Sequence, residues 1–188
     1  MTTGDATTTT ETEKPVTNRK QPFPQGFLDT IGTGWAERTE TTPQLIEQAP
    51  FAAQRRAKVS AAFTGKRLVV PAGALKQRSN DTDYVFRAHS AFSHLTGWGA
   101  DSEPESVLVF DPTADGHDIT LYFRERADRT TSEFYSDASI GEFWIGPRPS
   151  LAQVATSLGI TTKHLDEFAA AADDLVVDES DELTQFVS

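Results

Sequence analysis

Short apolar runs closed by turn residues punctuate the middle of the chain. Leu68-Val69-Val70 is β-branched and apolar and is followed by Pro71-Ala72-Gly73, the pattern of a short buried strand. Ser106 to Phe110 and Asp118 to Phe123 flank Asp111-Pro112-Thr113-Ala114-Asp115-Gly116, whose proline and Asp-Gly pair favour a reversal, so these two runs are expected to form an antiparallel hairpin. Leu175-Val176-Val177 reads as a last strand.

Helical patterns lie between and around these strands. Thr42-Pro43 has the form of an N-cap with proline at the first helical position, and Pro50 is expected to interrupt the helix it starts. A stronger stretch runs from Phe51 to Phe63, with Val59 and Phe63 four apart on one side and Arg55, Arg56 and Lys58 read as a solvated face. Further helices are expected over residues 130–140, 150–158 and 162–175, where Ser150 and Thr161 or Thr162 can act as caps. Strands alternating with helices imply an α/β or α+β layer, a mixed sheet covered by helices.

The start of the chain lacks such patterning. Met1 to Lys20 is threonine-rich and almost free of apolar side chains, so nothing there offsets the entropy of ordering it, and it reads as a disordered arm. Gln21 to Thr41 mixes prolines and glycines with Phe23, Phe27, Leu28 and Trp35, which suits an extended segment draped over a surface. The division is therefore an arm over 1–41 and one globular domain over 42–188, since a chain of 188 residues with 37% hydrophobic content can bury one ordinary core.

Composition narrows the functions. With 28 acidic and 17 basic residues the formal charge is -11, a field that repels phosphate backbones and anionic lipid, so neither nucleic acid nor membrane is an expected partner. Much of that charge sits between Lys163 and Leu183. The sequence has no cysteine, which excludes disulfides and thiolate chemistry. No apolar run reaches the ~20 residues of a membrane span and no secretion signal is visible, so a cytoplasmic location is expected.

Known reactive patterns are missing. His89 and His94 are five apart, on different faces of a helix rather than at the zinc spacing of four. Asp111, Asp115 and Asp118 lack the alternation and the closing glutamate of a calcium loop, and a hairpin turn explains them better. Gly32-Thr33-Gly34 lacks the third glycine of a dinucleotide fingerprint, and no nucleophile elbow or phosphate loop occurs.

One ordered series of motifs does stand out. Ser79-Asn80-Asp81-Thr82-Asp83 is followed by Tyr84-Val85-Phe86-Arg87, by a short helical stretch into Leu95-Thr96-Gly97-Trp98, by Glu103-Pro104-Glu105 and an apolar strand, by Thr120-Leu121-Tyr122-Phe123-Arg124, and by Phe143-Trp144-Ile145-Gly146-Pro147-Arg148. In this order and spacing the segment from Arg55 to Leu175 resembles the N-terminal, non-catalytic domain of the Xaa-Pro aminopeptidases, members of the creatinase/prolidase "pita-bread" superfamily. Ala91, where the family often has an acidic residue, and a longer stretch between Arg126 and Trp144 depart from the pattern.

The resemblance implies a ribonuclease-H-like mixed sheet flanked by helices. It also implies that two manganese ions act in a C-terminal catalytic domain outside this chain, that no metal ligand or catalytic residue lies within it, and that the chain serves in oligomerisation and active-site access. The implied partners are that catalytic domain, further copies of the chain and a peptide with proline at its second position. Trp144 matches a tryptophan that reaches towards an active site, often a neighbour's; a core aromatic beneath Gly146 is the alternative. Asp81 matches an acidic loop residue near the substrate's amino end, with loop capping as the alternative. Arg87, after two aromatics, is expected to stack on rings and tie loops, while Glu103-Pro104-Glu105 reads as a turn entering a strand. Three functions stay open: an accessory domain, inactive alone, of a proline-specific exopeptidase; a stand-alone peptide- or protein-binding module of the same fold; and, least supported by the residues, an unrelated small enzyme.

Overall fold

The computed structural model describes residues 23–80 and 82–187. At its centre are five strands, β1 (Leu68–Pro71), β2 (Val107–Thr113), β3 (Gly116–Phe123), β4 (Thr161–His164) and β5 (Leu175–Val176), in the order β4-β3-β2-β1-β5. β1, β2 and β3 run antiparallel to one another, while β4 lies parallel to β3 and β5 parallel to β1. The result is the mixed sheet flanked by helices that the sequence predicts. The hairpin reverses through Ala114-Asp115 alone, because Thr113 pairs with Gly116 and Pro112 with His117, so the strands run further than the apolar pattern indicates.

Alternation along the strands sorts the core. Leu68, Val70, Leu108, Phe110, Leu121 and Phe123 point to one face, where helices cover them, and Val69, Val107, Val109 and Tyr122 point to the other, beneath Leu165 and Phe168. The covering helices are α2 (Ala49–Ala62), α3 (Ser90–Thr96), α6 (Leu151–Leu158) and α7 (Asp181–Val187). Trp98 closes this layer, with its ring edge-on to Phe123 at 5.4 Å. Leu183 and Val187 of α7, a helix that the sequence pattern does not indicate, are buried in the same cluster.

Local chemistry explains where the helices stop and start. α6 begins with a capping box, in which Ser150 accepts from Gln153 N and the Gln153 side chain accepts from Ser150 N. α3 ends because Gly97 takes a left-handed φ of 74°, while Thr96 Oγ1 donates to Phe92 O and accepts from Trp98 N. The Leu-Thr-Gly-Trp block is thus a helix stop that turns Trp98 into the core.

Several expectations need correction. The helix expected at Thr42-Pro43 does not form; Ile46 N bonds Ser157 O instead, and Pro50 sits in the first turn of α2, where its missing N–H is no loss, rather than breaking a helix. Arg56 is buried, not solvated. Its guanidinium donates to Leu95 O at 2.8 Å and Arg55 donates to His94 O at 3.0 Å, so these two arginines satisfy free carbonyls at the end of α3, while Lys58 is exposed as expected. Burial pushes the Arg56 pKa down.

The helix expected over 162–175 is β4, a 3-10 turn and the short β5; Ala169 to Ala172 are exposed with no apolar face to bury, and pairing of Thr161 and Thr162 with β3 wins. Arg67 clasps this segment, donating to Asp111 and Asp174 beneath the Phe168 ring. The helix expected over 130–140 shrinks to α4 (Ser132–Ser136), followed by the single turn α5 (Glu142–Ile145). Between 21 and 41 the chain is not simply extended, since α1 (Gln25–Ile31) lies there; the arm from Met1 to Lys20 falls outside the described residues. Among the described residues no helix is long and apolar enough to cross a membrane.

Candidate functional site

Trp144 lies on a corner built by the connection from β3 to α6. α5 is a single turn with no side-chain cap, too short to hold itself, so its surroundings fix it. Gly141, just before it, is packed so tightly that a Cβ would come within 2.6 Å of Asp137 O and 2.7 Å of both Glu133 O and Phe134 O. Glu142, the first residue of α5, turns its buried carboxylate inward to accept from the Arg38 guanidinium and from Arg148 N at 2.8 Å. Two residues on, about 200° around a helix, Trp144 turns outward and is 50% exposed.

The indole is nonetheless tethered, since Trp144 Nε1 donates to Tyr135 O at 2.6 Å. Phe143 and Ile145, equally half exposed, extend the patch, and the Phe143 ring lies edge-on to Trp144 at 5.6 Å and tilted against Tyr135 at 5.8 Å. Three apolar side chains presented on one tethered turn are suited to contact an apolar group on another molecule.

Behind the corner stands a buried polar network. Arg148 is 5% exposed and directs Nε to Glu103 Oε2 at 3.0 Å, one terminal nitrogen to Ile140 O at 2.9 Å and the other to Arg124 O at 2.7 Å. Arg148 thereby ties together the segments at Glu103, Arg124 and Ile140, and Glu103 is a buried ion-pair partner in addition to entering a turn. The two carboxylates here respond oppositely. Burial raises the Glu103 pKa despite the opposing charge of Arg148. At Glu142 burial also pushes upward, but the hydrogen bonds from Arg38 and Arg148 N and the charge of Arg38 outweigh it, leaving the pKa below the ordinary carboxylate value.

Arg87 itself is exposed and has no hydrogen bond or ring contact among the described residues. It lines a cleft of about 740 Å³ with Lys76, Tyr84, His89, His94, Asp178 and Val187, where His89 and Asp178 stand 3.6 Å apart. The loop that carries Asp81 springs from this cleft's rim, where Tyr84 N bonds Lys76 O and Gln77 bridges Asp83. Asp81 lies outside the described residues. Trp144 does not line this cleft. Among the described residues no three His, Asp or Glu side chains come together where a metal ion could be held.

The residues that sequence reasoning missed are Arg38, Glu103, Glu142 and Arg148. Glu103 and Arg148 stand inside quoted motifs, but their pairing spans 45 positions and leaves no periodic trace.

Comparison with known proteins agrees with the motif order. Residues 52–184 match the family described as Aminopeptidase P, N-terminal domain. The chain is similar to Xaa-Pro aminopeptidase 1 of Streptomyces coelicolor, 42% identical over 165 residues that cover 86% of this chain and 33% of that protein. It is also similar to Xaa-Pro aminopeptidase 2 of the same organism, 46% identical over 148 residues, 78% of this chain and 30% of the relative. The chain thus spans about a third of the length of these curated relatives. Among solved structures, Escherichia coli aminopeptidase P in complex with substrate superposes with a TM-score of 0.50 at 25% identity, over 66% of this chain and 26% of that one.

Proposed function

The chain belongs to the aminopeptidase P family through its N-terminal domain, and from that premise we propose that it is the accessory part of a cytoplasmic Xaa-Pro aminopeptidase. In this reading the parent enzyme releases the N-terminal residue that precedes proline, with two manganese ions held by a C-terminal pita-bread domain. The side chains described in this chain do not fit such a site, so no step of hydrolysis is assigned to them.

What the chain contributes is shape and association. Trp144, carried with Phe143 and Ile145, closes a substrate pocket against the proline region, either in its own parent or in a neighbouring subunit of a homo-oligomer. Asp81 orients the substrate's positive amino end. The observation that carries this reading is that Trp144 is half exposed yet tethered through its indole nitrogen, the state of a side chain held ready for a contact rather than buried in a core.

Two measurements test it. The coding sequence beyond Ser188 is expected to supply two aspartates, a histidine and two glutamates as ligands; a reading frame without them overturns the peptidase parent in favour of a binding module. Incubated alone with Xaa-Pro peptides and manganese, the chain of 188 residues is expected to show no turnover, and hydrolysis by it would refute the accessory role.

A further inference from the structure

The segment from α1 to Thr41 is attached to the rest of the chain almost wholly at the Trp144 corner. α1 buries none of its residues, and Trp35 is 48% exposed. Every side-chain hydrogen bond described between residues 25–41 and the remainder ends on five residues of the corner and its flanks. Tyr135 Oη donates to Ile31 O at 3.1 Å, Arg129 donates to Ala36 O at 2.8 Å, Arg38 and Arg126 donate to Glu142 and Glu40 in that order, and Gln153 Nε2 donates to Thr41 O at 3.1 Å. Ring contacts reinforce the attachment, with Trp35 edge-on to Phe134 at 6.4 Å and the Arg129 guanidinium 5.1 Å above Trp35.

Two of these bonds lead straight to Trp144. Its indole nitrogen hangs on the carbonyl of Tyr135, whose hydroxyl is held by Ile31. Its helical turn hangs on Glu142, whose carboxylate is paired with Arg38. Burial alone cannot orient a tryptophan that is half exposed, so direction must come from these polar anchors.

We infer that residues 25–41 form a strap that sets the pose of Trp144, with Arg38 acting through Glu142 as its chief positioning residue. Without Arg38, the Glu142 carboxylate keeps the Arg148 N–H as its hydrogen-bond donor and the charge of Arg126 nearby, to which it is not bonded, and lies buried without its paired cation, which drives it towards solvent and Arg126. That movement turns α5 and carries the indole with it. The inference deepens the functional reading above and rests on it only for what Trp144 touches.

Fluorine NMR of the chain labelled with 5-fluorotryptophan separates the three tryptophans, each assigned by a Trp→Phe variant. In Arg38→Ala the Trp144 resonance is expected to shift towards the position of the free amino acid and sharpen, the Trp98 resonance to stay, and Arg38→Lys to recover part of the shift. An unmoved Trp144 line beside an unmoved Trp98 line overturns the inference. If Arg38→Ala also disturbs Trp98, Tyr135→Phe decides: it removes only the hydroxyl bond to Ile31, and a Trp144 line that ignores it counts against the strap. In an active enzyme containing this chain, Arg38→Ala is expected to raise KM for Xaa-Pro peptides several-fold and Arg38→Lys to restore it. A moved fluorine line with unchanged turnover in both Arg38→Ala and Trp144→Ala upholds the strap and removes the substrate reading. Impaired turnover in Trp144→Ala with an unmoved line in Arg38→Ala does the reverse.

Discussion

Trp98 and Trp144 divide the molecule into two regions built on different physics. Trp98 is 5% exposed, reached through a helix stop and packed on Phe123 among the apolar side chains over the sheet. Trp144 is 50% exposed and held by one hydrogen bond on a turn anchored by charged groups. Dispersion and burial fix the first without needing direction, whereas the second needs directed donors and acceptors because too little of it is buried. The difference teaches that an aromatic residue can be placed with equal definition for stability or for presentation, and that the anchoring chemistry distinguishes the two.

Replacing each tryptophan by alanine is the strongest way to break this contrast. Trp98→Ala is expected to destabilise the chain by about 3–5 kcal/mol in urea denaturation, as cavities in a packed core do, and Trp144→Ala by about 1 kcal/mol, the worth of one hydrogen bond. Equal losses would mean that the corner is core after all. Gly141→Ala comes next. Its Cβ meets three backbone carbonyls at 2.6–2.7 Å, and overpacking of this kind is expected to cost about 1–3 kcal/mol; displacement of the Trp144 fluorine line without that of Trp98 would show that the strain stays in the corner.

Acid titration sharpens the comparison within the corner. The folded-state pKa of Glu142 is depressed, so the stability it contributes is present above the unfolded carboxylate value, about 4.3, and is lost as pH falls towards the folded value. The folded-state pKa of Glu103 is raised, so the stability it contributes is full below the unfolded value and is lost as pH rises through the folded one. Glu142→Gln is therefore expected to flatten the loss of stability in acid and Glu103→Gln to steepen it, as read from urea midpoints across pH 3–7. Slopes that change in the same direction would contradict the opposed environments. The smallest effect belongs to Lys66→Ala: the Lys66–Glu182 pair is mostly exposed at 3.7 Å, and its loss is expected to change stability by less than about 0.5 kcal/mol in the same titration.

These regions differ just as much in how far the amino-acid order reveals them. The sheet core was legible, because Leu68 to Val70 and the hairpin strands carry their burial as local apolar alternation, and Ser150 with Gln153 encodes a cap within four residues. Thr161 and Thr162 misled, since a strand edge overrode the helix preference of the alanines that follow. Arg56 misled for another reason: a charge beside a helix end has a use that its own neighbours in sequence do not show. Of the corner, Trp144 could be picked out within its motif, whereas its anchors could not. Arg38 and Glu142 are 104 positions apart and Glu103 and Arg148 are 45 apart, so no window of sequence holds both partners.

The interior strand β1, between β2 and β5, joins two partners of very different reach. Its register with β2 links Leu68 to Phe110, while its register with β5 links Leu68 to Leu175, more than a hundred positions away. Closing the longer span restricts more chain before any contact rewards it. During refolding the hairpin and β1 are therefore expected to acquire protected amides before the two-residue β5, a sequence of events that pulse-labelled hydrogen exchange reads directly; equal protection times would refute it. Arg67, clasping Asp174 next to β5, would then act as the latch that shuts the sheet last.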